Sequence, residues 1–565
     1  MTAAWPIEQA ARLLADNGFV DRFAWHAALY QFVTDCQTVA ADGEAAPQSI
    51  LDFLTIAVQR PDVTRGSVPV VAMGLLLTPA ECDHLVALGT NDPKADNYWF
   101  LTDRVCRRLL TAPLLHELLM AGGLHDGLFE AILTTVRARL ARGLVDGDIA
   151  SAQLYDLLPL LNAMAVGALL SEHAWPMFDE EAVTLDALIA STDADHDQLL
   201  ARLLIIGSYQ RLDRLPLWVS LMGAETEIEG LVEDGLDRRV QHLHWDQPQA
   251  WRRHAEAIPI LVPIEDQTSA AVAEQYEQNP YPRWSKLGQL PPLGLKGYLA
   301  QQLGYEVDPS PPLPGEVMRA LVAGCGTGRH AITVAQILPE AKLDAVDLSR
   351  QSLGYASMMA SSLNLGGRLK FWQADILGLP TAMAERGMFY DVVESVGVIH
   401  HMAAPADGLR ALVDVLRPGG WLKLGLYSAA GRMAVNALRS RYGAGQDPDN
   451  PDALRTLRRE ILLDGGEDLQ ALRRTADIYS LSGFRDLLFH RQEHQYTVPG
   501  LAMLLQGAGL EFMGMAFADP AHRQPYFDMF PEDQTANDLD RWAAVEAENP
   551  TMFAGMYNFW CRKPG

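Results

Sequence analysis

The sequence predicts an α/β protein: a doubly wound, mostly parallel sheet in the second half of the chain, preceded by a large all-α domain. Three observations support this prediction. From Met318 onward, apolar runs of strand length alternate with helical segments. A glycine-rich turn at 324–328 joins the first run to a helix. Residues 5–265 instead carry apolar side chains at the three- and four-residue spacing of helices.

Length and composition indicate a globular protein with more than one domain. The 565 residues exceed what one hydrophobic core organises. Hydrophobic residues make up 49% and charged residues 21%, which is ordinary for a soluble protein. The net charge of −26 disfavours a nucleic-acid partner, because phosphate contacts require a basic face. The five cysteines form no C-x-x-C pair, so neither a disulfide framework nor a zinc site is indicated.

The sequence also predicts a cytoplasmic address and no membrane partner. The N-terminus has early charges and no apolar signal core. The most apolar run, 157–170, is short and contains Asn162, which is typical of a buried helix and not of a membrane span.

Three regions follow from the pattern: a helical domain at 1–265, suited to binding a substrate or partner, a junction at 266–315 and the sheet domain at 316–565. Helix pairs of this kind stack in tetratricopeptide-like solenoids, but no fixed repeat of thirty-odd residues aligns, so we predict an irregular helical domain. Helical segments are predicted at 10–14, 23–32, 50–58, 79–88, 109–119, 128–140, 154–170 and 198–206, with breaks at 42–43, 122–123 and 143–147.

The junction contains a stiff segment, 275–284, rich in proline and aromatic residues. Its two prolines exclude a regular helix or a central strand. One interpretation is a packed linker between domains, because aromatic residues are commonly structural. The other is a cap over a ligand pocket, formed by Tyr276, Tyr281, Arg283 and Trp284.

The glycine-rich turn predicts a cofactor site. Gly324, Gly326 and Gly328 are spaced G-x-G-x-G, unlike the G-x-G-x-x-G of dinucleotide sites, and no Gly-Lys-Ser/Thr follows as in a P-loop. Asp347 ends the next predicted strand, where a carboxylate can accept hydrogen bonds from both hydroxyls of a ribose. The alternative is an ordinary tight turn between a strand and a helix.

Other candidate contacts also follow strands. Asp375 follows the third predicted strand, where it can accept a hydrogen bond from an adenine amino group, and His400 and His401 follow the fourth. Because ligands of a doubly wound sheet bind at the carboxyl ends of its strands, these side chains are expected to meet. The predicted strands are 318–323, 342–346, 369–374, 390–396, 421–426, 510–515 and 552–560, the last two antiparallel.

The motifs AGCGTG, AVDLS, QADI, VESVGVIHHM and LRPGGWLKLGLYS resemble, in order and spacing, those of class I S-adenosylmethionine-dependent methyltransferases. More narrowly, residues 258–565 resemble a group of bacterial methyltransferases with a helical N-terminal region, a PYPRW junction and a C-terminal RDLLFH-x-x-EH-x-x-T segment. The resemblance implies a Rossmann-like sheet of seven strands and S-adenosylmethionine as the cofactor.

The resemblance also implies the cofactor contacts. The acidic residue that many relatives carry upstream of the first glycine is missing, because Ala323 stands near that place. The partner of the methionine amino group is therefore open. The implied contacts are Gly324, Cys325, Gly326 and Gly328 at the methionine end, Asp347 and Leu348 at the ribose, Asp375 and Ile376 at the adenine, and Ser395 and Val396 beside the sulfonium.

Methyl transfer from a sulfonium is an in-line displacement that mainly requires alignment of acceptor, methyl group and sulfur. Where the acceptor must lose a proton, His400 and His401 are the candidate bases, because histidine titrates near neutral pH. The alternative is that these histidines shape the pocket.

The run from His490 to His494 matches H-x-x-E-H, the inverted zinc-peptidase pattern, which on a helix would place two histidines on one face. No third ligand is evident, so we predict no metal. His490 and Glu493 are instead interpreted as substrate contacts, or as parts of a structural polar network.

The methyl acceptor is left open between a peptide or protein and a small metabolite. A helical domain of this size could present a long groove to a peptide, whereas a metabolite would fit under the junction and a helical insertion predicted at about 429–480. A third hypothesis is a non-catalytic module that binds only the cofactor or a partner. The intact glycine turn and the acidic strand ends disfavour it. The sequence does not fix the oligomeric state, and a homodimer is compatible with it.

Overall fold

The computed structural model describes residues 5–16, 22–40, 43–60, 72–90, 98–122, 125–191, 198–309, 316–443, 445–463, 475–517, 520–553 and 555–565. The chain forms two compact units. The helical unit comprises Met1–Pro248, Ser285–Gly288 and Gly445–Arg485, and the sheet unit comprises Gln249–Trp284, Gln289–Ala444 and Asp486–Gly565. These limits differ from the predicted boundaries, since much of the predicted insertion groups with the helical unit.

The first part of the helical unit is all-α wherever the structure describes it, as the sequence predicts. Its α-helices of five or more residues are Ile7–Asp16, Arg22–Ala40, Gln48–Gln59, Pro79–Thr90, Arg104–Leu110, Pro113–Met120, Gly127–Asp146, Ser151–Leu170, Asp179–Ala190, Leu199–Tyr209, Pro216–Met222 and Glu225–Glu233.

Two details of the predicted helices are wrong. The predicted helix 109–119 is two helices that meet at Thr111 and Ala112, because Pro113 lacks an amide hydrogen and disfavours a helical residue before it. The predicted break at 143–147 is a continuous helix that ends only at Gly147, whose φ is 76°. Gly143 serves close packing instead, since a Cβ there would lie 2.6 Å from the Ile149 side chain.

Helix Ser151–Leu170 forms the centre of the helical unit. It is the one described helix long and apolar enough to cross a membrane, but 72% of its apolar window is buried. Its polar residue, Asn162, is fully paired: Nδ2 donates to Leu158 O at 2.8 Å and Gly235 O at 3.0 Å, and Oδ1 accepts from Asp237 N at 2.8 Å. The sequence prediction of a buried helix at 157–170 agrees with this burial.

The inserted helix Pro451–Leu463 is anchored in the helical unit by a buried ion pair. The fully buried Arg458 donates to Glu130 Oε1 at 2.7 Å and Oε2 at 2.6 Å. It also donates to the Ala174 carbonyl at 3.1 Å. Farther along the insertion, Ser482 donates from its hydroxyl to Glu172 at 2.6 Å. These contacts explain why the segment groups with helices more than three hundred residues earlier in the chain.

The sheet unit contains a seven-stranded sheet, which confirms the predicted architecture. The strand order is β3-β2-β1-β4-β5-β7-β6. The first five pair in parallel, and β7 is antiparallel to both β5 and β6. The order reverses between β1 and β4, which is where ligands of doubly wound sheets bind. The strands are β1 Arg319–Ala323, β2 Lys342–Asp347, β3 Leu369–Gln373, β4 Tyr390–Val396, β5 Leu416–Tyr427, β6 Glu511–Met515 and β7 Met556–Arg562.

Strand β5 begins earlier than the predicted 421–426. Tyr390 pairs with Leu416 and Val392 pairs with Trp421, so the four residues 417–420 of β5 lie opposite the single residue Asp391 of β4 and form a bulge. At the β3 edge of the sheet, Ile260 forms a bridge with Gln373. The apolar segment before the junction therefore extends the sheet beyond β3.

Helices connect the strands of the sheet unit and precede them. Leu321 and Ala323 of β1 share a buried core with the helices Leu379–Glu385 and Pro405–Val415. The helices of this unit are Gln249–Ala257 (the end of Gln247–Ala257), Gln267–Gln278, Gly294–Leu303, Arg329–Ile337, Arg350–Ser362, Leu379–Glu385, Pro405–Val415, Met433–Tyr442, Val498–Gly507, Gln524–Met529 and Leu539–Glu548, together with the end of Leu481–Phe489.

Candidate cofactor and acceptor site

The glycine turn follows β1 and leaves no room for side chains. Gly324, Gly326 and Gly328 have φ of 74°, 52° and 83°, a region that favours glycine. A Cβ on Gly324 would lie 2.3 Å from the Val398 side chain, and a Cβ on Gly328 would lie 2.4 Å from that of Ala356. The turn is therefore fixed by its glycines, as a close-approach cofactor site requires.

Asp347, at the end of β2, is hydrogen-bonded to this turn. Its Oδ2 accepts from Gly326 N at 2.8 Å and its Oδ1 from Ser349 N at 2.9 Å. Burial raises the pKa of Asp347, although these backbone hydrogen bonds act to lower it. The predicted ribose contact and the predicted methionine contacts thus lie side by side. Cys325, inside the turn, is buried, and burial raises the pKa of its thiol well above the usual range.

The predicted adenine contacts lie at the end of β3. Asp375 is buried, and its Oδ1 accepts from Leu377 N at 3.0 Å, which begins the short 3-10 helix Ile376–Gly378. Ile376 is also buried. The carbonyl of Leu348 accepts from Gln373 Nε2 at 2.9 Å, which ties the loop after β2 to β3.

Ser395 and Val396 end β4, next to the glycine turn. Ser395 is fully buried, and its hydroxyl has no hydrogen-bond partner within the described part of the chain. Buried hydroxyls normally have a partner, so this atom fits a site that a ligand completes. Val396 is partly exposed.

The junction segment packs on the glycine turn. Trp284 is buried and donates from Nε1 to the Thr327 carbonyl at 3.1 Å, and the Thr327 hydroxyl donates to the Pro282 carbonyl. The Tyr281 carbonyl lies 2.8 Å from where a Cβ on Gly326 would be. The guanidinium of Arg283 lies over the Trp251 ring at 4.9 Å.

Glu277, which the sequence reasoning missed, caps the helix that follows Asp347. Its Oε1 accepts from the backbone amides of Arg350 and, at 3.4 Å, Gln351. A carboxylate is stabilised at a helix N-terminus by the free amides and the helix dipole. Its signal in the sequence was an acidic residue within an otherwise aromatic and proline-rich segment.

After the ends of β4 and β5, five rings lie next to one another in succession: Tyr427, His400, His401, His490 and Tyr276. We call this group the ring column. The successive centroid distances are 4.1, 4.2, 3.5 and 6.1 Å. The structure therefore brings four of the predicted acceptor-side residues, from three distant parts of the sequence, into one cluster.

Hydrogen bonds orient the rings of the column. His490 Nε2 lies 3.2 Å from the Tyr276 hydroxyl, which donates to Asp486 Oδ1 at 2.7 Å. Because that hydroxyl gives its proton to the carboxylate, it can only accept from His490, which makes Nε2 the donor. His401 Nδ1 lies 2.7 Å from the Gln492 carbonyl, which only accepts, so the lone pair of His401 is on Nε2.

The three imidazoles of the column are neutral near pH 7. Burial lowers the pKa of His400 to about 3 and that of His490 to about 4, and it lowers the pKa of His401 well below its usual value. A base with so low a pKa accepts a proton poorly at neutral pH. The electrostatics therefore favour the alternative in which His400 and His401 shape and orient the pocket.

Glu493 is held by arginines. It accepts from Arg432 at 2.6 Å and Arg439 at 2.8 Å. Burial acts to raise the pKa of Glu493, but the two guanidiniums outweigh burial and lower this pKa to about 2. This environment agrees with the structural-network interpretation of Glu493.

The H-x-x-E-H run does not form the helical zinc arrangement, because helix Leu481–Phe489 ends before His490. Among the residues that the structure describes, no group of three or more His, Cys, Asp or Glu side chains could hold a metal ion.

Replacement of His400 by Phe is expected to weaken the pH dependence of stability. The unfolded imidazole binds a proton below its usual pKa near 6.5, whereas the folded one does so only near pH 3. Between these values the unfolded state binds more protons, so stability falls as pH falls. From pH 7 to pH 5 this group accounts for about 2 kcal/mol. Hydrogen exchange of β4 at both pH values measures the difference, and an identical pH dependence in His400→Phe would contradict this assignment.

A comparison with known families bears on the two interpretations of the glycine turn. Residues 320–420, from β1 to the bulge of β5, match the family model described as a methyltransferase domain. This part of the chain is therefore similar to a methyltransferase domain. The ordinary-turn alternative is thereby disfavoured, since the match covers the glycine turn and the ends of β2, β3 and β4.

Curated relatives are similar to parts of this chain. An uncharacterized protein of Synechococcus sp. is 29% identical over 40% of this chain and 55% of its own length. The ubiquinone biosynthesis O-methyltransferase of Cereibacter sphaeroides is 30% identical over 29% of this chain and 64% of its own. The chain thus spans less than two thirds of these relatives. Among solved structures, PKMT2 from Rickettsia typhi in complex with AdoHcy is 18% identical with a TM-score of 0.36, over 50% of this chain and 54% of that one.

The sheet unit also contains a buried ionic cluster that the sequence reasoning missed. Glu394 of β4 is fully buried, and His330 Nε2 lies 2.8 Å from its Oε2. The same oxygen is 3.3 Å from the Tyr298 hydroxyl and 3.7 Å from Lys423 Nζ. The available signal was a carboxylate in the middle of a central parallel strand, where charged residues are rare.

Proposed function

We propose that this protein is an S-adenosylmethionine-dependent methyltransferase. The observation that carries the proposal is the glycine turn, which excludes any Cβ and is hydrogen-bonded to Asp347 at 2.8 Å. It lies where the strand order reverses, between β1 and β4. Three features thus indicate a cofactor site at the glycine turn: the absence of room for a Cβ, the acidic end of β2 and the position in the sheet.

In this proposal the residues at the strand ends bind and orient the cofactor. Asp347 accepts from the ribose, Asp375 lies at the adenine, and the backbone of Gly324, Gly326 and Gly328 lies along the methionine. When bound, S-adenosylmethionine supplies an activated methyl group together with its own leaving group. Trp284 and the Tyr281 carbonyl hold the turn in the shape that binding requires.

The acceptor is proposed to enter beside the ring column. Its neutral imidazoles can donate or accept hydrogen bonds without adding charge, and Tyr427 and Tyr276 supply aromatic surface. Alignment of the acceptor with the methyl group is the main task left to the protein, and it can contribute on the order of 7 kcal/mol in favourable cases. His401 Nε2, with its free lone pair, is the atom of the column that can orient an acceptor proton.

The two acceptor classes are a small metabolite and a peptide or protein side chain. Relatives named as O-methyltransferases support testing small hydroxylated compounds first. The helical unit, at roughly half of the chain, supports testing proteins as well.

Transfer of an isotope-labelled methyl group tests the proposal. The purified full-length chain is incubated with labelled S-adenosylmethionine and, separately, with the small-molecule and protein fractions of a bacterial extract. Label is expected to enter one fraction and to be absent with Asp347→Ala. Cofactor binding by the wild type without transfer into either fraction would support a non-catalytic module instead.

A further inference from the structure

We propose that Glu394 binds the ammonium group of the cofactor's methionine, in place of the acidic residue missing from β1. The inference rests on the proposed function and adds to it a recognition residue on a different strand. It assigns a role to a buried ionic cluster that methyl transfer itself does not require.

The register of the sheet places Glu394 beside Val322, the neighbour of Ala323, near which the acidic residue is missing. Val322 and Ala323, the last two residues before Gly324, are both apolar, so β1 offers no carboxylate there. In the parallel pairing of β1 and β4, Val322 is opposite Glu394. Paired residues of neighbouring parallel strands point to the same face. The Glu394 side chain therefore lies on the Val322 face, one strand away.

One oxygen of Glu394 lacks a partner. Its Oε2 contacts His330, Tyr298 and Lys423, as described above. Its Oε1 is buried and has no hydrogen-bond partner within the described part of the chain. Buried carboxylate oxygens are nearly always paired, because an unmade hydrogen bond costs the full desolvation of the group. An ammonium donor from a ligand would satisfy this atom.

Glu394 is also charged when a ligand arrives. Burial alone would raise its pKa, but Lys423 and His330 outweigh burial and lower it. A buried carboxylate that stays ionised attracts a cation strongly, since water does not screen it.

His330 lies between Glu394 and the glycine turn, at which the cofactor is proposed to bind. It belongs to the first turn of helix Arg329–Ile337, directly after the glycine turn. Its side chain is 31% exposed, whereas that of Glu394 is 1% exposed. We assign His330 as a positioning residue, which holds Oε2 and leaves Oε1 for the ligand.

Ligand truncation separates this role from a purely structural one. S-adenosylhomocysteine carries the ammonium group, whereas 5′-methylthioadenosine lacks the whole amino-acid part. Calorimetric titration of the full-length chain is carried out with both compounds. Glu394→Gln, which keeps shape and removes charge, is expected to weaken S-adenosylhomocysteine binding by about 10- to 100-fold, the range for loss of a hydrogen bond to a charged group. It should leave methylthioadenosine binding within about threefold, since no contact to that compound is lost.

A second variant keeps the test decisive if Glu394→Gln folds poorly. His330→Gln is expected to lower S-adenosylhomocysteine affinity in the same selective way, by a smaller factor. Asp308→Ala, at a side chain that is 91% exposed and outside the cluster, should change neither affinity appreciably. Equal losses for both compounds, or no loss for either, would overturn the assignment. Failure of the wild type to bind either compound would instead contradict the proposed function.

Discussion

A Gly328→Ala variant is expected to lose S-adenosylmethionine affinity by at least about 100-fold. Alanine at φ 83° is strained by roughly 1–2 kcal/mol. Its Cβ would also lie 2.4 Å from that of Ala356, in a helix that cannot yield as a flexible side chain does. Overpacking of this kind costs typically 1–3 kcal/mol more. The backbone of the turn must therefore move away from Ala356, and the proposed contacts with the cofactor are lost.

Calorimetry and thermal unfolding measure this effect together. The matched control is Gly367→Ala, at a site where a Cβ has nothing within 4 Å and the backbone is not left-handed. That variant should bind and unfold like the wild type. Unchanged affinity in Gly328→Ala would show that the glycine turn is not part of the binding site.

Arg458→Ala is expected to destabilise the helical unit by about 3–5 kcal/mol. Removal of the guanidinium leaves Glu130, whose side chain is only 6% exposed, as an uncompensated buried charge. It also leaves the Ala174 carbonyl without this donor. The anchored segment Pro451–Leu463 is expected to open first, because the ion pair is one of its main polar contacts.

Hydrogen exchange of helix Gly127–Asp146 and of the inserted helix measures the loss. Arg238→Ala is the control, since Arg238 and its partner Glu229 have side-chain exposures of 53% and 55%, and surface pairs contribute about 0–1 kcal/mol. The double variant Arg458→Met with Glu130→Leu should recover part of the stability, because no buried charge remains. A loss below about 1 kcal/mol in Arg458→Ala would show that the pair does not anchor the insertion.

The sheet was predictable from sequence because its signals are local. The apolar runs, the glycine spacing and the acidic strand ends each occupy a few consecutive residues, and their order defines the topology. Gly143 shows the limit of local signals. A glycine predicts a break, but here it allows contact with Ile149 inside a helix, which only tertiary packing reveals.

The candidate site also has a part that local sequence signals predict and a part that only tertiary packing reveals. The contacts at the ends of β1, β2, β3 and β4 follow from motifs, whereas the ring column joins residues far apart in the chain, such as Tyr276 and His490, which are 214 positions apart. The low pKa of His400 depends on burial, which composition and spacing do not express. The contact of the Arg283 guanidinium with the Trp251 ring is likewise a tertiary one, because Trp251 lies in a helix outside the motif.

Calorimetric titration of the purified chain with S-adenosylmethionine tests the central claim most directly. The variants are Asp347→Ala and, as a control, Asp308→Ala, whose side chain is 91% exposed and pairs only on the surface with Lys296. We predict micromolar binding by the wild type and by Asp308→Ala, and its loss in Asp347→Ala. Binding that survives Asp347→Ala unchanged, or a wild type that binds nothing, would contradict a cofactor site at the glycine turn.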